Sequence, residues 1–160
     1  MSTLQALLAD PATAGVWKLV PARSSVRFKN KTLWGLVPVN GEFTDVSGDG
    51  QITAKGAVFG RVDIRAASVR TGIGKRDEHL RSPDFFDVEK YPEISIVVTD
   101  ATATGERTAD LRAELTARGT TRPLPLSATV DRTAFGVSGT MAGMMPTTTT
   151  LIADLFFAKA

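Results

Sequence analysis

A chain of 160 residues with 42% apolar and 22% charged residues has the size and composition of one folded domain, which excludes a disordered or fibrous class. Nineteen basic against seventeen acidic residues leave a formal charge of +2, dispersed rather than gathered into the basic block that phosphate neutralisation demands, so nucleic acid is not expected as a partner. The absence of cysteine removes disulfides, thiolate nucleophiles and sulfur-ligated zinc sites.

The amino terminus, MSTLQALLADPATAG, has no basic start and carries Asp10 within a short apolar patch. This is unlike a secretory signal and predicts a cytoplasmic protein. Residues 4 to 9 suffice for one or two helical turns ended by Pro11, too little to be stable without tertiary support. Residues 1–14 are therefore set apart as a flap or tail, either a short helix or disordered, and 15–160 are taken as the folded domain. No apolar run reaches the roughly twenty residues of a spanning helix.

From Val16 onward the dominant period is two. Val26, Phe28 and Asn30 alternate with Ser25, Arg27 and Lys29, the signature of a half-buried strand. The pattern recurs at Val37 to Thr44, Val58 to Arg65, Ile94 to Thr99, Leu111 to Ala117, Leu124 to Val130 and Leu151 to Phe157. Turns are predicted at Ser47 to Gly50, Gly56, Gly105, Arg118 to Thr121 and Gly136 to Gly143, which makes most neighbours antiparallel. The class is all-β with a minor α component, and periodicity alone leaves a sandwich and a closed barrel both open. One interruption, Gly74 to Pro92, holds five consecutive ionisable residues and then Leu80, Phe85 and Phe86, which need burial. It is predicted to be a short helix and loop folded as a lid over one opening.

Catalytic patterns fail. There is no Gly-x-Ser-x-Gly, and the single histidine, His79, leaves few routes to a Ser-His triad. Gly72 to Arg76 lacks the first glycine and the Ser or Thr of a phosphate loop. Asp84, Asp87 and Glu89 sit beside Pro92 and aromatics, which suggests a structural turn. No enzyme is expected, and no metal site, since no second histidine joins the first.

The string TGIGKRDEHLRSPDFFDVEKYPEI, from Thr71 to Ile94, resembles the hallmark of the YceI-like family of lipocalin-like, polyisoprenoid-binding proteins. Thr71, Arg76, Asp77, His79, Leu80, Asp84, Phe85, Phe86, Asp87, Tyr91 and Pro92 carry the match. Trp17, the Ser24 to Phe28 string, Gly41 to Phe43 and Leu115 to Leu126 extend it over roughly residues 15 to 158. Where the family often has histidines, this chain has Arg23 and Thr32. The resemblance implies a single elongated eight-stranded antiparallel barrel whose lumen takes a polyprenyl chain or isoprenoid quinone for storage or transport, with no other cofactor.

On that reading Phe28, Trp34, Phe43, Phe85, Phe86, Met144 and Met145 are candidates for the lumen wall, since aromatic and methionine side chains adapt to irregular apolar shapes. Plain core packing is the competing account of each. Lys31, Arg76 and His79 are candidates for the ligand head group, because pyrophosphate attracts cations and a quinone carbonyl needs donors. Against this, Arg76 and Asp77 also read as a structural pair fixing the lid. A barrel packed shut, serving structure or protein interaction, remains the alternative, and the oligomeric state is open, a homodimer included.

Overall fold

The computed structural model describes residues 3–33, 37–130, 136–142 and 149–160, with side chains described outside 30–39 and 130–150. Within them lie two helices, α1 (Thr3–Ala9) and α2 (Gly74–Arg81), and one sheet of eleven strands. In chain order the strands are β1 (Gly15–Leu19), β2 (Ser25–Leu33), β3 (Val37–Phe43), β4 (Val46–Ile52), β5 (Val58–Arg65) and β6 (Val69–Arg70). After α2 come β7 (Glu93–Ala103), β8 (Thr108–Ala117), β9 (Thr120–Val130), β10 (Gly136–Ala142) and β11 (Thr149–Lys159).

Eleven segments arise where eight strands are expected because three long strands are broken. Between β1 and β2, Pro21 opens a 3-10 turn (Pro21–Arg23) where a missing N–H interrupts the ladder. The break is a bulge and not an end: Val20 N–H donates to Phe156 O at 2.8 Å, and Phe156 N–H donates to Ser24 Oγ at 3.0 Å. Both β1 and β2 thus lie along β11, with Leu19 opposite Phe157 and Ser25 opposite Asp154. Arg23, one of the departures from the family pattern, lays its guanidinium over the Phe156 ring at 3.8 Å and covers this bulge. In the same way β3 runs on into β4, and β5 into β6 through the 3-10 turn Ala66–Ser68; Arg65 N–H to Asp45 O and Thr44 N–H to Ser68 O hold the two bends together.

All pairings are antiparallel. The ladder runs β1, β4, β5, β7, β8, β9, β10, β11 and comes back to β1. At the other end the sheet is not closed: among the described residues β6 pairs only with β3, and α2 lies against its open edge. Arg81 satisfies part of that edge by donating to Ala67 O at 2.9 Å and Val69 O at 3.1 Å.

Two predicted turns are strands. Ser47 to Gly50 belongs to β4, where Val46, Gly48, Gly50 and Ile52 alternate inward between the flanking β1 and β5. Gly and Asp are poor strand formers, but pairing on both edges outweighs that weak local preference. Gly136 to Ala142 forms β10 between β9 and β11 for the same reason, and Gly143 lies outside the described residues. The signals at Gly56 and Gly105 hold, and of Arg118 to Thr121 the turn is Arg118 and Gly119, with Thr120 and Thr121 already in β9. Gly56 has φ +83° in the β4–β5 turn, and Arg118 and Gly119 have φ of 50° and 71°, the two positive values that a two-residue type I′ hairpin between β8 and β9 requires.

The predicted lid is α2 with the turns that follow it to Pro92. Leu80 is fully buried, and Phe85, Phe86 and Val88 pack onto the core. The tail is also structured. α1 lies across the opposite mouth, with Leu4 6% exposed and its N–H bonded to Glu106 O at 2.9 Å. Leu4, Leu7 and Leu8 fall on one helical face, and that face is what tertiary packing stabilises. Among the described residues no helix is long and apolar enough to cross a membrane.

Candidate functional site

Inward positions at the α2 end carry large side chains. Phe28 and Phe43 are both 5% exposed with ring centroids 5.5 Å apart, and Phe43 meets Phe86 edge-on at 5.8 Å. Phe28 lies across Gly41, its cross-strand partner, so closely that a Cβ at Gly41 would overlap the ring. With Ile64, Val69, Leu80 and Ile94, these rings fill this end.

Toward α1 the inward positions become small. Trp17 stands opposite Gly50, Gly50 opposite Gly60, and Gly60 opposite Val98, so one row across three ladders has two positions without a Cβ. Ala101, Ala103, Ala109, Ala128 and Ala153 line the same space. The result is a cavity of about 200 Å³. Ideal Cβ atoms at Gly50 and Gly60 come no nearer than 3.4 and 3.5 Å to any atom beyond the neighbouring residues, which is ordinary van der Waals contact, so a side chain fits at either position without displacing its surroundings.

The side chains that face this space are hydrocarbon, apart from the Trp17 indole. Its Nε1–H donates to Thr13 O at 2.9 Å. Gln51, Arg61 and Ser127 border the cavity from outward-alternating, exposed positions. Arg61 is occupied on the outer face, donating to Asp63 at 2.9 Å and to Ser95 Oγ at 3.1 Å. The hydrogen bond that Arg61 donates to Asp63, followed by the charge of that carboxylate, holds the guanidinium pKa above its ordinary value. Leu4, Leu7 and Leu8 of α1 supply the end wall.

The residues picked from the sequence divide around this geometry. Phe28, Phe43 and Phe86 are brought together, with Phe85 beside them in the lid, but at the filled end; they do not line this cavity. Trp34, Met144 and Met145 lie outside the described residues, and Lys31 sits in β2 with its side chain outside them. Arg76 donates from Nε to Thr71 Oγ1 at 2.8 Å and from Nη2 to Thr71 O at 2.9 Å. Asp77, 8% exposed, accepts from Thr71 N–H at 2.9 Å and from the Thr71 hydroxyl. Arg76 and Asp77 thus act jointly on Thr71, fixing the strand-to-helix turn that begins the lid. His79 Nε2 lies 3.1 Å from Asp84 Oδ2, with its ring edge-on to Phe85 at 4.9 Å. Both candidate head-group residues on α2 are therefore far along the barrel from the hollow end.

The cavity walls that sequence reading passed over are Gly50, Gly60, the alanines and α1. A signal existed: Ala101 and Ala103 are spaced by two on a strand. Small residues at alternate positions on one face leave the facing space empty.

Comparison with known proteins agrees with this architecture. BcnA of Burkholderia cenocepacia superposes with a TM-score of 0.72 at 19% identity, covering 88% of this chain and 99% of that one. A polyisoprenoid binding domain from Saccharophagus degradans, implicated in plant cell wall breakdown, gives 0.67 at 18% identity, covering 90% and 98%. At these identities the likeness is one of fold. In sequence, an UPF0312 protein of Pseudomonas putida strain GB-1 is 41% identical over 96 residues, 58% of this chain and 49% of the relative. One from Pseudomonas savastanoi pv. phaseolicola is 46% identical over 68 residues, 42% and 35% respectively. The aligned part thus spans half or less of the curated relatives it matches. The model of the YceI-like domain matches residues 17–155, and with the barrel, the lid string and its Thr71 contacts in place, this chain belongs to the YceI-like family.

Proposed function

We propose that this protein binds an apolar isoprenoid-type molecule, a prenyl chain or the tail of an isoprenoid quinone, in the hollow α1 end of its barrel, and stores or carries it without chemical change. The observation that carries the reading is the cavity itself, built by removing side chains at Gly50 and Gly60 and walled almost wholly by hydrocarbon. A core position that serves packing alone is ordinarily filled, because each unfilled methyl-sized space costs about 1 kcal/mol. The fold it shares with a polyisoprenoid binding domain supports the same class of ligand. The described inward lining presents carbon in place of acid, base or nucleophile, which suits retention over turnover.

Size sets what the cavity takes. A cavity of about 150 Å³ holds benzene, so about 200 Å³ suits one or two prenyl units, and a longer chain must extend beyond it. Burial contributes about 0.8 kcal/mol per methylene, sufficient for useful affinity without a polar contact. Among the described residues no cation faces the cavity, so a charged head group stays outside it.

The test is to fill the hole. In Gly50→Leu and Gly60→Leu the new side chains project into the cavity. Farnesol titration, followed by Trp fluorescence, is expected to show at least tenfold weaker binding with an unchanged circular dichroism spectrum. Wild-type protein that neither yields a prenyl lipid on organic extraction nor takes up farnesol overturns the proposal.

A further inference from the structure

We infer that α1 is the ruler of the binding site: its leucines form a removable end wall that sets how long a prenyl chain the barrel accepts while the helix stays docked. The inference rests on the lipid-binding reading and adds to it an element outside the family match, since Thr3–Ala9 precedes residue 17.

The helix bridges the mouth between two hairpin turns. Its first turn is tied to the β7–β8 turn through Leu4 N–H and Glu106 O at 2.9 Å. Its last turn sits on the β4–β5 turn, where a Cβ at Gly56 would lie 3.1 Å from Leu8 O. Beyond the helix, Thr13 Oγ1 donates to Leu7 O at 2.7 Å, and Trp17 Nε1 donates to Thr13 O. The chain that closes the mouth is thus hinged to the wall residue Trp17. Leu4, Leu7 and Leu8 face the cavity while Gln5 and Ala6 face out.

Seven residues are too few for a stable isolated helix. α1 therefore exists because its leucines are buried against the barrel, and whatever competes for that apolar contact displaces it. A chain that stops short of the leucines leaves α1 docked. A longer chain meets them and must displace the helix, losing its contacts as it gains its own. Affinity accordingly rises with each prenyl unit until the wall is reached, then stops rising.

The experiment measures the dissociation constants of prenyl alcohols of one, two, three and four units for wild type, Leu4→Ala and Leu4→Phe, in the full chain. Below the wall each unit is expected to tighten binding by at least tenfold; Leu4→Ala moves the plateau to a longer alcohol and Leu4→Phe to a shorter one. A second variant removes dependence on packing. An ideal Cβ at Gly56 lies 3.7 Å from Leu8 Cβ, within the range of about 3.5–4.5 Å for a disulfide, and the chain has no other cysteine. In Leu8→Cys with Gly56→Cys, oxidation is expected to weaken the four-unit alcohol at least tenfold relative to the two-unit one, and reductant to restore it. An identical length profile in all variants and in both redox states, with binding retained, overturns the ruler and leaves the lipid site standing. Failure of every alcohol to bind wild type overturns both.

Discussion

At the α2 end the interior is filled by Phe28, Phe43, Phe86 and Leu80, whereas at the α1 end the same ladders present Gly50, Gly60, Ala103 and Ala109 to one another. Strand pairing continues through both halves, most plainly along β7, β8 and β11. These rows differ in side-chain volume, and on the proposed reading the α1 half is the container. Stability and binding then separate along the barrel axis, so a substitution's position predicts which of the two it damages.

The largest effect tests the filled half. Leu80 is fully buried, and Leu80→Ala is expected to cost about 2 to 5 kcal/mol in urea denaturation, because a cavity opens where none existed. Leu111, half-buried against the existing cavity, loses mainly its transfer free energy, and Leu111→Ala is expected to cost about 1 to 2 kcal/mol. Equal costs at the two sites would erase the distinction between core and container.

Glycines sharpen the contrast because the two halves predict opposite signs. A methyl at Gly41 collides with the Phe28 ring, so Gly41→Ala is expected to destabilise by about 1 to 3 kcal/mol, the usual cost of overpacking. A methyl at Gly60 makes only ordinary van der Waals contact, 3.5 Å from Asp49 O and 3.9 Å from Gly50 Cα. Gly60→Ala restricts the unfolded chain and is expected to stabilise by about 0.4 to 1 kcal/mol. Thermal melts of the pair, run side by side, read the sign directly.

Backbone conformation gives a third site, at the α2 rim. Gly119 has φ +71°, and its missing Cβ would approach Tyr91 Cε1 to 3.0 Å. Gly119→Ala combines a left-handed backbone with that contact and is expected to cost about 1 to 2 kcal/mol. Ligand affinity at the far end should not change, which a farnesol titration of the variant checks.

How much of this was legible beforehand depended on local signal. Alternation at Val26 and Phe28 marks a strand whatever surrounds it, and the string from Thr71 to Pro92 announces both lid and family. The β4 segment was hidden because Ser47, Gly48, Asp49 and Gly50 have the composition of a turn, and only pairing on both edges makes them a strand. Phe28, Phe43 and Phe86 stand out in the sequence and yet lie apart from the cavity, for a related reason. Large apolar residues attract notice as a wall, but a cavity is made by the residues that leave space, and glycine and alanine carry no such label in isolation. α1 was discounted because a helix that short has no stability of its own, and its docking against Glu106 and Gly56 is wholly tertiary.

The smallest effect concerns the outer face, where the two halves should not differ. Arg27 Nη2 and Asp154 Oδ2 are 3.2 Å apart across β2 and β11, both side chains 53% exposed. Water competes for each partner, and ordering a long side chain offsets much of the Coulomb gain, so such pairs contribute only about 0.2 to 1 kcal/mol. Arg27→Ala is expected to lower stability by no more than this in low salt, and by less in 1 M NaCl, where the screening length is about 3 Å. A larger, salt-independent loss in urea denaturation would mean that the Arg27 stem packs on β11. The outer face would then contribute to holding the β2–β11 seam, and the separation of stability from binding could no longer be read from the lumen alone.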